Sequence, residues 1–149
     1  MKKWLYSLLI FISFSVTGNA QHMKEHSVPQ NVREAFQKKY PNTFVYEWEY
    51  KRKKELYEAE FIQNGIKYEV KISTSGRWIS TERDIKKEEL PEAVWKAIEN
   101  SNYADWKIDD IEEMSSPEYS LFYNIEFKRE KRKEDLFFLP DGQEIKFRF

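Results

Sequence analysis

Cysteine is absent from this 149-residue chain. Disulfides therefore cannot crosslink the fold, and the packed core must stabilise it alone. Aromatic residues, which form 17% of the chain, supply the material for such a core, because each ring can bury about 150–250 Å² of surface.

Recognisable catalytic groups are missing as well. The two histidines, His22 and His26, stand near the N-terminus in a segment that we expect to be flexible, and the motifs G-x-S-x-G, H-E-x-x-H and the phosphate-binding loop do not occur. Paired glutamates on an open sheet would lack the enclosure that raises a carboxyl pKa for acid catalysis. We therefore predict that the protein is not an enzyme, and we predict no cofactor and no metal-ligating motif.

Neither sign of charge dominates the chain. Removal of Lys2 and Lys3 with the N-terminal segment lowers the basic total from 25 to 23, against 26 acidic residues. A nucleic-acid-binding domain would be strongly basic. We therefore predict that nucleic acid is not a partner.

Long apolar runs are confined to the N-terminus. Two lysines precede an apolar run over residues 4–16, and the small residues Gly18 and Ala20 stand at the −3 and −1 positions of a cleavage site. This pattern predicts a signal peptide over residues 1–20, since the run is shorter than the ~20 residues that a membrane span needs. We expect a periplasmic or secreted protein with no transmembrane segment in the mature chain.

The mature chain contains an internal sequence repeat. The stretch SVPQNVREAF, from Ser27, aligns with ELPEAVWKAI, from Glu89, and YEAEF, from Tyr57, aligns with YNIEF, from Tyr123. Self-similarity at a nearly constant spacing indicates a duplicated unit.

The duplication sets the expected domain organisation. We predict a flexible segment over residues 21–26, then a single domain over residues 27–149 made of two repeats, 27–88 and 89–149. In each repeat, apolar residues first recur at helical spacing and then alternate with polar ones, which is typical of a helix followed by strands. The predicted fold class is α+β: a tandem duplication of a helix plus four-stranded antiparallel unit, forming one sheet with helices on one face.

The stretch FVYEWEY shows which side of the first strand should be buried. Period-two alternation places the aromatic side chains under the helix and the others on the open face. The predicted inward residues are Phe44, Tyr46, Trp48 and Tyr50, and the predicted outward residues are Val45, Glu47 and Glu49.

The dipeptide Asn64-Gly65 predicts a two-residue hairpin turn. That turn sets Glu60 opposite Glu69, and like charges across a ladder are destabilising. Glu47 and Glu49 lie on the same face, so the repulsion among the four carboxylates needs a nearby positive charge to offset it. Lys67 and Lys71 on the diagonal could provide it, or else a cation such as Ca²⁺ or a basic segment of a partner.

Two further glycine turns suggest a second surface feature. Reading Ser75-Gly76 and Asp141-Gly142 as two-residue loops turns Trp78 outward, together with Phe122 and Phe137. Exposed aromatic residues on an uncovered sheet face would form an apolar patch of the kind that marks interaction sites. Alternatively, a loop or the N-terminal segment of the chain covers them.

These features, with the stretches AFQKKYPN, YEAEF, NGIKYEVKI, SGRWI and FFLPDGQEI, resemble the PepSY-like, beta-lactamase-inhibitor-like proteins of bacterial envelopes. The resemblance covers nearly all of the mature chain and implies one curved sheet with helices on its convex side. It also implies binding rather than catalysis, since the namesake inhibitor grips an enzyme with its concave face and PepSY domains are thought to restrain peptidases. The namesake's disulfides are missing here, and its contact residues cannot be matched to positions in this chain.

We therefore expect an exported, non-catalytic binding module that inhibits or restrains a peptidase or hydrolase through the open sheet face. Its expected partner is an envelope protein or peptide whose identity the sequence does not give. The alternative is an envelope ligand or cation sensor that uses the outer-face glutamates. The candidate binding-surface residues are Glu47, Glu49, Glu58, Glu60, Glu69, Trp78, Phe122 and Phe137.

Overall fold

The computed structural model describes residues 20–149 and has an α+β architecture with one antiparallel sheet, as predicted. Within this range nine strands lie side by side in chain order. The strands are β1 (Ala20–Met23), β2 (Val45–Lys51), β3 (Leu56–Gln63), β4 (Ile66–Ser73), β5 (Trp78–Asp84), β6 (Lys107–Ser115), β7 (Phe122–Arg129), β8 (Arg132–Phe138) and β9 (Glu144–Ile145). Helix α1 (Gln30–Lys39) precedes β2, and helix α2 (Glu92–Glu99) precedes β6.

The start of the mature chain contributes to the sheet. Residues 21–26, which the sequence placed in a flexible segment, form most of β1 and enter a 3-10 turn, and Met23 lies opposite Trp48. β1 thereby occupies backbone groups of β2 that would otherwise form a free sheet edge. The predicted signal peptide, residues 1–20, lies outside the described residues except for Ala20.

The hairpin between β3 and β4 has the predicted register. Asn64 and Gly65 both adopt positive φ, at 53° and 78°, which is the conformation of a type I′ turn. The predicted pairs all form, including the like-charged pair of Glu60 and Glu69. The two turn residues therefore predicted the register of this hairpin correctly.

Strand β2 departs from simple alternation. Its pairing with β3 shifts between Val45 and Glu47, so that Tyr46 is an extra residue in a β-bulge. Val45 is buried, whereas Phe44 is 75% exposed and Tyr46 is 44% exposed. The predictions that Phe44 and Tyr46 lie beneath a helix and that Val45 faces outward are wrong, while Trp48, beyond the bulge, is buried as predicted.

The loop between β4 and β5 is one residue longer than predicted. The backbone N–H of Ser73 donates to the carbonyl of Arg77, which leaves three residues in the loop, and Ile72 pairs with Trp78. Trp78 therefore packs on the side of α1, where the Lys39 ammonium lies 3.2 Å from the centre of its ring. The prediction that Trp78 faces outward is wrong because the longer loop reverses the alternation.

Helix α1 covers the first of three hydrophobic clusters. Val32 and Phe36, one helical turn apart, point from α1 into side chains of β2, β3 and β4. We call this side of the sheet the first face and the opposite side the second face. The buried members of the first cluster are Val28, Val32, Phe36, Val45, Trp48, Tyr57, Ala59, Phe61, Val70 and Ile72.

Helix α2 packs in the same manner against β6, β7 and β8. Val94 and Ile98 are the buried residues of the helix itself. The buried members of this second cluster are Ile85, Leu90, Val94, Ile98, Ile111, Tyr123, Ile125, Phe127, Leu136 and Phe138. Each half of the chain thus has a core of its own beneath its own helix.

A third cluster lies on the second face, where the sequence predicted exposed aromatic residues. Phe122 and Phe137 are both buried, with exposures of 0% and 8%. The C-terminal residues cover them, because the ring centre of Phe147 lies 4.9 Å from that of Phe122 and 5.5 Å from that of Phe137. The predicted exposure of Phe122 and Phe137 is therefore wrong, since the end of the chain folds back over this part of the sheet.

Candidate functional site

A row of charged side chains crosses the second face from β2 to β5. At its centre the Lys71 ammonium contacts a carboxylate oxygen of Glu82 and lies 3.2 Å from one of Glu69. Lys71 and Glu82 are only 7% and 5% exposed. Substitution of either partner in a buried lysine–carboxylate pair of this kind destabilises the fold, because the remaining charge is left without compensation.

The outer members of the row are also paired with cations of the chain. Lys51 lies 2.6 Å from Glu49 and 2.9 Å from Glu58, and Lys67 lies 2.8 Å from Glu60. These pairs lie closer to solvent than the central one.

The negative charge of the predicted four-glutamate cluster is therefore compensated by basic side chains of the same chain. The expectation that Lys67 and Lys71 compensate the opposed pair of Glu60 and Glu69 is confirmed by the ion pairs that they form. At the edge of the sheet, the imidazole of His22 contacts Glu47. Each glutamate of the cluster thus has a basic side chain of the chain beside it.

Burial and crowding of carboxylates set the electrostatics at the centre of the row. Burial raises the pKa of Glu82 to about 8, and repulsion by Glu112 and Glu69 adds to this rise against the attraction of Lys71. Burial lowers the pKa of Lys71, but the attraction of Glu82 and Glu69 outweighs it, so the net shift is upward. The second face thus keeps Lys71 charged, while it raises the pKa of Glu82 and so disfavours the ionised form of that carboxyl group.

A further acidic group, which the sequence did not predict, lies where β5 meets β6. Asp84 pairs directly with Glu112 across the two strands, and Asp110 lies two residues from Glu112 on the same face. Oxygen atoms of the three carboxylates lie within 4.8 Å of one another. Glu82, Asp84 and Glu112 line a cavity of about 80 Å³. No local motif encodes this group, because two distant stretches of chain bring it together.

The aromatic C-terminus meets the charged row. The ring centre of Phe149 lies 4.4 Å from the Lys71 ammonium and 4.7 Å from that of Lys54, and Phe149 is 38% exposed. Cations at this distance from an aromatic ring are attracted to its electron-rich face. The C-terminal segment therefore links the third cluster to the charged centre of the second face.

The predicted surface residues thus fall into three environments. Glu47, Glu49, Glu60 and Glu69 lie on the second face and are partly exposed, whereas Glu58 lies there but is buried. Phe122 and Phe137 are beneath the C-terminal residues, and Trp78 is on the first face. The accessible part of the candidate site is the glutamate and lysine row.

Comparisons with known proteins agree with this architecture. A "DUF2874 family protein" from Bacteroides ovatus is 28% identical, with a TM-score of 0.63, and the match covers 80% of this chain and 86% of that one. A "BLIP-like protein" from Bacteroides fragilis is 29% identical, with a TM-score of 0.62, and the match covers 80% and 84%. At 23% identity and a TM-score of 0.63, one of the "putative periplasmic proteins" from Bacteroides eggerthii shares the fold, over 81% and 88% of the two chains.

Two further comparisons and a search for membrane-spanning helices bear on the assignment of the chain to a family. No curated protein matches the chain, and no helix within residues 20–149 has the length and apolar character needed to cross a bilayer. Residues 14–64 and 55–146 match the family model described as "Putative beta-lactamase-inhibitor-like, PepSY-like". Because these two stretches together span most of its length, the chain belongs to the PepSY-like, beta-lactamase-inhibitor-like family.

Proposed function

We propose that the protein is an exported, non-catalytic binding module that restrains a peptidase or hydrolase through the second face of its sheet. The observation that carries this proposal is the glutamate and lysine row, which reaches solvent on a sheet face while its centre is fixed by the buried pair of Lys71 and Glu82. Charged groups held in this way need little reordering on binding, so they suit the recognition of a partner.

The geometry of the acidic groups favours binding over catalysis. Two cavities that Glu82 lines measure about 80 and 180 Å³, whereas sites that enclose a small-molecule ligand measure about 300–1,000 Å³. The carboxylates of the row lie against lysine side chains, and several of them are open to solvent. A protein partner that lies across the sheet fits this arrangement better than an enclosed substrate.

The proposal includes a duplicated architecture, with both helices on the first face. Its support is a set of features that recur in the two halves. A β-bulge follows Val45 in β2 and Ile108 in β6, and a close approach between a turn glycine and a helix occurs at Gly76 and at Gly142. Such a duplication would extend one continuous binding face across both halves.

The proposed site of action is the periplasm or the exterior of the cell, after cleavage behind Ala20. The neighbour from Bacteroides eggerthii carries the description "putative periplasmic proteins", which agrees with this localisation. The exported protein is then expected to begin at Gln21, which leaves residues 21–23 to form the edge strand. Mass spectrometry of the protein from the envelope or medium tests the position of the cleavage.

Capture of the partner tests the proposed binding role. Mature protein, residues 21–149, is immobilised and exposed to the envelope fraction of its own host. The binding-face variant carries Glu47→Gln, Glu49→Gln and Glu60→Gln, and the control carries Glu92→Gln and Glu99→Gln on the exposed side of α2. We expect the wild type and the control to capture an envelope peptidase or hydrolase and to lower its activity when purified partner is assayed.

The binding-face variant is expected to capture that enzyme at least about tenfold more weakly, which corresponds to ~1.4 kcal/mol. Equal capture by all three proteins would exclude the second face as the binding surface. Capture without any loss of enzymatic activity would contradict the restraining role.

A further inference from the structure

The acidic group at the junction of β5 and β6 differs from the glutamate row in its lack of basic partners. Within residues 20–149, no lysine, arginine or histidine nitrogen comes within 4.0 Å of the carboxylates of Asp84, Asp110 or Glu112. The backbone N–H of Ile111 donates to Asp110, and the Asn124 amide donates to Glu112. Within this range, three carboxylates therefore converge without a basic side chain in contact, although Lys67 and Arg83 line the cavity beside them.

A second observation at the same place concerns the buried Glu82. One of its carboxylate oxygens contacts Lys71, but the other, Oε2, is buried and has no hydrogen-bond partner among the residues that the structure describes. Glu82 is only 5% exposed and lines the same cavity as Asp84 and Glu112. A buried oxygen without a hydrogen-bond partner is costly.

A second buried oxygen near the acidic group also lacks a hydrogen-bond partner in the part of the chain that the structure describes. The side-chain oxygen of Asn124 is buried and lacks a partner within residues 20–149, while the amide nitrogen of the same side chain donates to Glu112. Asn124 thus contacts Glu112 through its amide nitrogen, while its oxygen, like Oε2 of Glu82, is a buried acceptor without a partner among the described residues. A bound cation satisfies acceptors of this kind, whereas another carboxylate cannot.

We propose that Asp84, Asp110 and Glu112, with Glu82 behind them, bind a calcium ion at the junction of β5 and β6. The donor set consists of carboxylate oxygens, which are the ligands that Ca²⁺ and Mg²⁺ prefer and softer metals do not. Oxygens that lie within 4.8 Å of one another can all reach one ion at the Ca²⁺–oxygen distance of about 2.3–2.6 Å, and the flexible coordination of Ca²⁺ demands less of their arrangement than the near-ideal octahedron of Mg²⁺. The ion would crosslink the last strand of the first half to the first strand of the second half.

Calorimetric titration and thermal melting test this site directly. Mature protein, residues 21–149, is freed of metal with a chelator, dialysed, and titrated with CaCl₂ or MgCl₂ at constant ionic strength. We expect one Ca²⁺ per chain with a Kd of about 10⁻⁴–10⁻³ M, the range of extracellular calcium modules. At 10 mM Ca²⁺ the melting temperature is expected to rise by about 3–8 °C, with a smaller rise for Mg²⁺.

Matched variants separate this site from general screening by a divalent cation. Asp84→Asn with Asp110→Asn removes two ligand charges and is expected to abolish both the heat of binding and the thermal shift. Asp105→Asn with Asp141→Asn makes the same change in charge on exposed residues away from the group and is expected to leave both unchanged. If the first double variant does not fold, Asp84→Asn alone is expected to weaken binding at least tenfold, because Asp84 is exposed and its loss leaves the core intact.

Three results would overturn the proposal. The first is the absence of heat and of any thermal shift at 10 mM Ca²⁺. The second is an equal response in the Asp84→Asn variants and the wild type. The third is a response to Mg²⁺ as large as that to Ca²⁺, which would contradict the assignment to calcium.

Discussion

At the scale of single residues, two glycines set how closely the sheet approaches the helices. Gly76 has a φ of 79°, and a Cβ at this position would lie 2.9 Å from the backbone oxygen of Asn31 in α1. Gly142 has a φ of 86°, and its Cβ would lie 2.5 Å from the backbone oxygen of Ala93 in α2. Both the backbone conformation and the lack of space therefore require glycine here.

We expect Gly142→Ala to destabilise the protein more than Gly65→Ala. Both substitutions impose a positive φ on alanine, which costs roughly 1–2 kcal/mol. A Cβ at Gly65 meets no atom within 4 Å, whereas one at Gly142 collides with the backbone of α2. The collision should add about 1–3 kcal/mol of lost stability, comparable to that of overpacked cores.

Urea unfolding of the two variants measures this difference, since each substitution adds the same single methyl group. Equal midpoints for Gly65→Ala and Gly142→Ala would show that α2 moves away from the turn without cost.

At the scale of helices and strands, features that a local turn motif determines could be predicted from the sequence, whereas the bulge and the loop length that change the alternation of side chains could not. The register of β3 and β4 was predicted pair by pair because Asn64-Gly65 determines it locally. The bulge at Tyr46 was missed because both its neighbours are compatible with simple alternation. The three-residue loop before Trp78 was missed because its sequence, with one glycine, also suits a two-residue turn.

In the candidate site, too, contacts within one hairpin were predicted and contacts between distant parts of the chain were not. The lysine partners of Glu60 and Glu69 were predicted because they lie in the same hairpin. The group of Asp84, Asp110 and Glu112 was missed because the chain between β5 and β6 includes α2, and no turn motif fixes the pairing of these two strands. The burial of Phe122 could not be predicted either, since the residues that cover it lie at the C-terminus, outside regular secondary structure.

The C-terminal segment is an element whose removal should expose a defined surface. We expect truncation after Lys146 to uncover Phe122 and Phe137, because the rings of Phe147 and Phe149 pack on this cluster. The truncated protein should bind the dye ANS more strongly and lose about 2–4 kcal/mol of stability, the usual cost of removing large apolar side chains from a packed cluster.

A control for this truncation is Phe44→Ala, which removes an aromatic ring that is 75% exposed. This variant should keep wild-type stability within about 0.5 kcal/mol. Unchanged dye binding after the truncation would mean that the third cluster is not held closed by the C-terminus.

At the scale of the whole molecule, the two halves are joined by more than the chain between them. β5 pairs with β6, and the Arg83 guanidinium donates to both carboxylate oxygens of Glu113, at 2.9 and 3.0 Å. The same guanidinium lies 3.3 Å from Glu89, just before α2. Forked contacts of this kind hold two strands in a fixed orientation. The second face is therefore one continuous surface across the junction.

We expect the mature protein to unfold in a single cooperative transition, despite its separate cores. The tryptophans allow a test, because Trp48 and Trp78 pack with the first cluster and Trp95 and Trp106 with the second. Two variants are needed, one with both tryptophans of the first pair changed to phenylalanine and one with both of the second pair changed. Each then reports by fluorescence on one half, while far-ultraviolet circular dichroism reports on the whole chain.

Within each variant, the fluorescence and circular dichroism transitions should coincide, as they do for two-state domains of this size. The comparison is internal to each variant, so a change in overall stability caused by the substitutions does not affect it. Midpoints that separate in either variant would show that one half melts first and that the β5–β6 junction is weak. In that case a partner spanning both halves would have to order the junction on binding, and its affinity would be reduced by the cost of that ordering.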